Sequence, residues 1–215
     1  MSNNIVHVVG TGTIGEPLIG LLSDYKEQLG IDEVTFHKNS PLSYERAKVN
    51  DLLARGARLA VYEDKWDVFK DMGIEPEFEA EEAISRASVV IDCTPKGFGQ
   101  KNKQKYYEKF SDKVKGFIAQ GSEHGFGLKY ARSINDEALQ RNDNQYVQIV
   151  SCNTHNIASL ADTIAYNGGK DTLDYGRFNC IRRATDISQD SSFIPSPQVG
   201  EHETDKFGTH HARDA

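Results

Sequence analysis

The sequence predicts a doubly wound α/β fold built on a mostly parallel sheet. Two observations carry that expectation. Short β-branched runs alternate with stretches of helical apolar spacing, and the first run, "NIVHVV", passes through the glycine cluster "GTGTIG" straight into the first helical pattern.

The elements follow in order. "NIVHVVG" reads as a buried strand, and "TIGEPLIGLLSDYKEQLG" follows as a helix with apolar residues at Ile14, Leu18, Leu21 and Leu22. "DEVTF" predicts a second strand, "SYERAKVNDLLARG" a second helix, "RLAVY" a third strand and "WDVFKDMG" a short helix. "ASVVIDCTP" and "KGFIAQG" add two strands, with the polar, helix-compatible "GQKNKQKYYEKFSD" between them. "YVQIV" is a further strand; "NTHNIASLADTIAYNGG" is a helix expected to be capped by Asn153 or Thr154 and stopped by Gly168 and Gly169. "YGRFNCIRRA" alternates like a strand, and the chain from Thr185 onward, rich in Ser, Asp, Pro, Gly and His, reads as a long loop or an unfinished domain.

Composition narrows the function classes. The 215 residues suffice for one large domain or two small ones, and 32 acidic against 25 basic residues give a net charge of -7. That balance argues against nucleic acid and anionic membrane as partners. No signal-peptide pattern opens the chain and no run of apolar residues reaches membrane-spanning length, so a cytoplasmic protein is expected. Cys93, Cys152 and Cys180 are too few and too scattered for a disulfide framework or a zinc site, and no metal is expected.

The glycine cluster sets Gly10, Gly12 and Gly15 in the spacing G-x-G-x-x-G between a strand and a helix. In a Rossmann-type fold the first glycine permits the tight turn, the second lets a pyrophosphate approach the backbone, and the third lets helix and strand pack closely. The helix N-terminus completes an anion site. A plain glycine-rich turn is the other reading. Cofactor choice falls at the end of the second strand, where an acid would hold the ribose of NAD; here "HKNS" offers His37 and Lys38 and no carboxylate, so NADP is the expected cofactor, with NAD as the alternative. Lys38 could equally be a solvated loop lysine.

Cys152 stands where a strand ends and a helix begins. Unpaired N–H groups and the helix dipole there stabilise a thiolate, which makes Cys152 a candidate nucleophile, with a small buried hydrophobe as the other reading. Cys93 and Cys180, inside strand patterns, read as buried hydrophobes. Arg182 and Arg183 form a pair suited to phosphate, or surface salt bridges, with at most one facing a given side of a strand. His210 and His211, adjacent in "THHARD", are poor zinc ligands but could donate to phosphate, or belong to a mobile tail.

Taken in order, "GTGTIG", "VVIDCTPKGFGQKN", "IAQGSE", "VSCNT", "RRATD" and "THHARD" resemble the archaeal-type glyceraldehyde-3-phosphate dehydrogenases, from about Ile5 to Asp214. The resemblance implies a Rossmann domain over residues 1–151 followed by the beginning of an α+β catalytic domain over 152–215. It implies that Cys152 attacks D-glyceraldehyde 3-phosphate, that oxidation by NAD(P) leaves a thioester, and that inorganic phosphate releases 1,3-bisphosphoglycerate. By motif, Thr13, Ile14 and Gly121 join Gly10, Gly12, Gly15, Lys38 and Arg183 at the cofactor. Ser151, Asn153, Thr154, Arg182, His210 and His211 fall at substrate or phosphate. The family forms tetramers, so a homo-oligomer is implied.

Two departures stand beside the resemblance. Where the family continues "SCNT" with Thr and Gly, this chain has His155 and Asn156, and the family's catalytic histidine lies beyond the His-His motif, past Ala215. His155, three residues after Cys152, shares its helix face only if Cys152 is itself helical. An inactive NAD(P)-binding relative, or a related semialdehyde dehydrogenase, are therefore alternatives.

Overall fold

A computed structural model describes residues 4–120, 123–140, 144–166, 174–179, 211, 214 and 215. They fall into two compact units, one of residues 1–128 and 140–148, the other of residues 129–139 and 149–215.

In the first unit the strands are β1 (Ile5–Val9), β2 (Glu33–His37), β3 (Arg58–Val61), β4 (Phe78–Glu79), β5 (Val89–Asp92) and β6 (Gly116–Gln120). Further on come β7 (Leu128–Tyr130), which begins at the unit's edge, and β8 (Tyr146–Ile149). The helices are α1 (Gly15–Asp24), α2 (Arg46–Ala54), α3 (Trp66–Asp71), α4 (Ala80–Arg86) and α5 (Phe98–Lys105). The strand order runs β4-β3-β2-β1-β5-β6-β8, and the five pairings from β4 to β6 are parallel. Chain order reverses between β1 and β5, which is the topological switch point of a doubly wound sheet.

Alternation along the strands explains why both faces are covered. Val8, Val34, Phe36, Leu59 and Val61 face one side and pack with Ile19, Val49, Leu52 and Phe69 from α1, α2 and α3. Val9, Val90, Phe117 and Ala119 face the other, against Ile84, Tyr107 and Phe126. A strand buried on both faces reads as a continuous apolar run, the pattern of "VVI" in β5.

Several expected boundaries are corrected. α1 stops at Asp24 instead of running to Gly30, because the apolar stripe ends there: Tyr25 and Leu29 are exposed and the chain turns at Gly30 with φ 65°. The segment expected as one helix after Gly99 is α5 followed by a separate 3-10 turn, Tyr107–Phe110, which buries Tyr107. β4 and α4 have little apolar signal and were not expected; Glu79 makes them possible by capping α4, accepting from Glu81 N at 2.6 Å and Glu82 N at 3.2 Å.

In the second unit α6 (Cys152–Ala161) is capped by Ser151, not by Asn153 or Thr154, and its last turn widens into a π-helical segment, Asp162–Tyr166. The correction is physical: Ser151 keeps extended backbone angles while its hydroxyl accepts from Thr154 N at 3.3 Å. The strand expected over 175–184 is absent from 175–179, which hold no regular structure, and 180–184 lie outside the described residues, as do Gly168 and Gly169.

Beneath the switch point the sheet buries two histidines. His7 is fully enclosed, with Nδ1 2.7 Å from Thr35 Oγ1, and His37 lies edge-on to Tyr62 at 4.7 Å. The Nε2 atoms of both lack a hydrogen-bond partner among the described residues. Burial, reinforced by the proximity of His37, lowers His7 from 6.5 to about 3; burial lowers His37 to about 4 against the opposing pull of Asp92. Both are therefore folded neutral. Their depressed values mean that the unfolded chain takes up protons first, so the stability they contribute is complete above 6.5 and is lost as the pH falls toward 4. Thermal melts between neutrality and mild acid should show Tm falling with pH, and His37→Asn should flatten that slope; an unchanged slope removes His37 from the account.

Candidate functional site

The nucleotide-binding turn is assembled where β1 and β5 end. Gly10 leaves β1 with φ 98°, and a side chain there would meet the Cys93 carbonyl at 3.2 Å and Thr94 N at 3.4 Å, so the two strand ends nearly touch. Gly15 is required for a different reason: a Cβ would stand 1.9 Å from the Gly10 carbonyl oxygen. Gly12 is the informative one. A Cβ there meets nothing within 4 Å, so the fold itself does not demand glycine at that position. What the absent side chain leaves open is approach from outside the chain, which is what a pyrophosphate needs.

The two helices that start at this edge differ at their N-termini. α1 begins after Ile14 with no side-chain cap. α5 begins after Gly97 and is stopped by Glu123, a 2% exposed carboxylate that accepts from Gly97 N at 2.5 Å and Gln100 N at 3.0 Å. A helix N-terminus attracts anions through its free N–H groups and dipole. With one already filled by a carboxylate, α1 is the start left without a side-chain cap. Residues Gly10 to Gly15, with Thr13 and the exposed Ile14 at the tip, fit the pyrophosphate of a dinucleotide.

Next to α5, Asp92 at the end of β5 is buried and saturated: Thr94 N at 2.9 Å and the Thr94 hydroxyl donate to one oxygen, Asn102 Nδ2 at 2.8 Å and the Tyr107 hydroxyl at 2.5 Å to the other. Burial, then Asp92, pushes the Tyr107 hydroxyl well above its ordinary range, so it remains a donor. Cys93 beside them is buried and its thiol is pushed up to about 12, chiefly by burial and then by Asp92, which fits the expected inert hydrophobe.

Lys38 is where its position after β2 placed it, but it is not a solvated loop lysine. It is 4% exposed, with Nζ 2.5 Å from Glu45 Oε2 and 3.2 Å from Thr11 Oγ1. Neither Glu45 nor Glu123 was singled out from sequence. Gly121, Arg182, Arg183, His210 and Cys180 lie outside the described residues.

In the second unit, Cys152 is the first residue of α6 and is exposed. Around the same helix start the structure gathers Ser151, Asn153, Thr154 and His211. His211 Nδ1 is 2.8 Å from Ser151 Oγ and 3.3 Å from Thr154 Oγ1, and its Nε2 is 3.5 Å from Asn153 Nδ2. Asp214, three residues on, is ion-paired with Lys129. His155 does share α6 with Cys152, but its Nε2 lies 3.0 Å from the Arg132 carbonyl oxygen. Among the described residues no group of His, Cys, Asp or Glu could hold a metal ion, and no helix is long and apolar enough to cross a membrane.

Comparison with known proteins bears directly on this arrangement. Over 165 residues the chain is 32% identical to the glyceraldehyde-3-phosphate dehydrogenase of Pyrobaculum islandicum, covering 76% of this chain and 44% of that one. Identity is 32% over 198 residues to the Methanopyrus kandleri enzyme of that name, with 88% and 52% covered, and 29% over 212 residues to that of Thermoplasma volcanium, with 97% and 57% covered. The chain is a relative of the archaeal glyceraldehyde-3-phosphate dehydrogenases. It spans about half the length of these dehydrogenases. No family model matches it. Among solved structures, a Mycobacterium tuberculosis shikimate dehydrogenase aligns with a TM-score of 0.35 at 15% identity over 54% of this chain and 37% of its own, too loose a likeness to bear on function.

Two outcomes follow from the geometry. Gly12→Ala should leave Tm near the parent value while weakening dinucleotide binding about tenfold or more in a calorimetric titration, whereas Gly15→Ala should cost roughly 1–3 kcal/mol of stability through overpacking and melt several degrees lower. Equal thermal losses in both variants would show that Gly12 serves the fold after all. In native protein, iodoacetamide should modify Cys152 and spare Cys93 until denaturant is added, as read by peptide mass; labelling of Cys93 in the native state contradicts its burial.

Proposed function

We propose that the chain is the dinucleotide-binding and thiol-bearing part of a phosphorylating glyceraldehyde-3-phosphate dehydrogenase. The observation that carries this reading is the pairing, in one chain related to those enzymes, of an uncapped α1 behind an open Gly12 with an exposed Cys152 at the first position of α6.

In that reaction the Cys152 sulfur adds to the aldehyde carbon of D-glyceraldehyde 3-phosphate and gives a hemithioacetal. NAD or NADP, when bound, takes the two electrons and the hydrogen whose removal turns the hemithioacetal into a thioester. An oxygen of inorganic phosphate then attacks the thioester carbon, the C–S bond breaks, and 1,3-bisphosphoglycerate leaves with Cys152 restored as thiolate.

The chain's own groups have assignable parts. Cys152 stands exposed at the first position of α6, where a substrate can reach its sulfur. Ser151 fixes the helix start and, through His211 Nδ1 at 2.8 Å, holds an imidazole beside it. Asn153 Nδ2 and His211 Nε2 are N–H-bearing candidates for the substrate's anionic groups. α1 and the Gly10–Gly15 turn take the dinucleotide, and the choice between NADP and NAD rests on Lys38 and its neighbours. A reducing cytoplasm keeps Cys152 as a thiol.

The test is NAD(P)H formation from glyceraldehyde 3-phosphate, phosphate and either dinucleotide, with Cys152→Ser as control and dinucleotide binding titrated on the same sample. Turnover that depends on phosphate and disappears in Cys152→Ser is the expected result. Dinucleotide binding with no turnover would assign the chain instead to a nucleotide-binding relative, a reading that the engagement of His155 with the Arg132 carbonyl already favours to a degree, since it turns one nearby base elsewhere.

A further inference from the structure

The end of β2 decides which dinucleotide a Rossmann-type site accepts, because the adenosine ribose rests there. On sequence this chain has a lysine and no acid at that place. The fold supplies the acid from elsewhere. The turn after β2 folds into a 3-10 segment, Ser43–Glu45, whose last residue leads into α2 and points its carboxylate back at Lys38.

The charges form a continuous chain. Lys38 Nζ is shared between Glu45 Oε2 at 2.5 Å and Thr11 Oγ1 at 3.2 Å, and Thr11 lies inside the glycine turn between Gly10 and Gly12. The other Glu45 oxygen is 3.4 Å from Lys48 Nζ, which is itself 2.9 Å from Glu16 Oε2 in the first turn of α1. The Lys38 side chain is 5% exposed and that of Glu45 19%. Of the pair, the acid is the member that solvent and ligand reach. Burial pushes the Glu45 carboxyl up, but the ammonium groups of Lys38 and Lys48 together outweigh it and hold it below its ordinary value. It is an anion at neutral pH.

We propose that Glu45 is the residue that sets cofactor choice, standing in for the strand-end acid and favouring NAD over NADP, an inference that rests on the dinucleotide reading of the glycine turn. A ribose with free 2′- and 3′-hydroxyls donates to the more loosely held Glu45 oxygen. A 2′-phosphate carries a charge of about -1.5 to -2 and meets that carboxylate first. To reach Lys38 it must displace a short, largely buried ion pair and leave Glu45 to Lys48 alone. That exchange gives up the 2.5 Å pair for the looser 3.4 Å contact to Lys48 and sets a multiply charged anion against the Glu45 carboxylate. The lysine that sequence reading assigned to the 2′-phosphate is thus already neutralised, and its second bond to Thr11 gives it a different task, bracing the glycine turn.

The experiment is a calorimetric titration of NAD+ and NADP+ into the full chain and into Glu45→Gln. The wild-type chain should bind NAD+ the tighter, and Glu45→Gln, which keeps a hydrogen-bonding group but removes the charge, should shift the ratio of dissociation constants toward NADP+ by about tenfold or more. Wild-type protein that binds NADP+ tighter than NAD+ overturns the proposal without any variant, which covers the case of a Glu45→Gln chain too unstable to titrate. Both dinucleotides binding with an unchanged ratio in Glu45→Gln removes Glu45 as the selector and leaves the dinucleotide site standing. If neither dinucleotide binds wild type, the site is removed and this inference with it.

Discussion

The first unit depends on how closely α1 can start to the end of β1. With a Cβ at Gly15 only 1.9 Å from the Gly10 carbonyl oxygen, any side chain would push the helix off the strand. Because it is glycine, α1 begins at once, its N-terminus lies at the sheet edge, and the turn between is short enough for Lys38 to reach Thr11 from the neighbouring strand end. The switch point between β1 and β5 turns that edge into a crevice, and Gly10, pressed against the Cys93–Thr94 backbone, marks its floor. Phosphate binding here would be a by-product of tight helix–strand packing and would need no dedicated cation.

Charge placement at the same edge is selective by exclusion. Two helices offer positive ends, and Glu123 removes one of them from use by satisfying Gly97 N and Gln100 N itself. Gly99 allows that approach, since a Cβ there would stand 2.8 Å from Glu123 Cγ. Asp92 is likewise filled, by four donors. Among the described residues, spare capacity at this edge lies at the uncapped start of α1 and at the Glu45 oxygen that Lys48 holds only at 3.4 Å. Saturated groups hold the frame rigid, and the groups left with spare capacity are the ones available to a ligand.

These two classes of residue explain what sequence reading could and could not reach. The glycine turn and the thiol at a strand–helix hinge are local: every relation that defines them lies within a few residues, and both were recovered where expected. Ser151 as the cap of α6 was missed by two or three residues, since Ser, Asn and Thr all make good caps and only backbone angles choose among them. Glu123 and Gly97 are 26 residues apart, and Lys38 and Thr11 27, contacts that exist only once the parallel strands are in register. The Lys38–Glu45 separation is only 7 residues, but it spans an irregular turn with no periodicity to reveal it. β4 escaped because two residues carry no pattern, although Phe78 is held between the guanidinium groups of Arg58 and Arg86 at 4.5 and 4.0 Å.

The second unit can be read through its proton inventory. Ser151 Oγ has one proton to give and two lone pairs, and three neighbours: Thr154 N, Thr154 Oγ1 and His211 Nδ1. Thr154 N can only donate to it. Either hydroxyl can be the donor in the 2.9 Å contact between Ser151 and Thr154, and the role of Ser151 toward His211 Nδ1 at 2.8 Å follows the imidazole tautomer. When His211 Nδ1 accepts from Ser151, Nε2 is the protonated nitrogen; when Nδ1 donates, Ser151 passes its own proton to Thr154. Asn153 Nδ2 lies 3.5 Å from Nε2 and donates to it in the tautomer that protonates Nδ1. The hydroxyl that caps α6 thereby couples the tautomer of the imidazole beside it to the direction of its own proton.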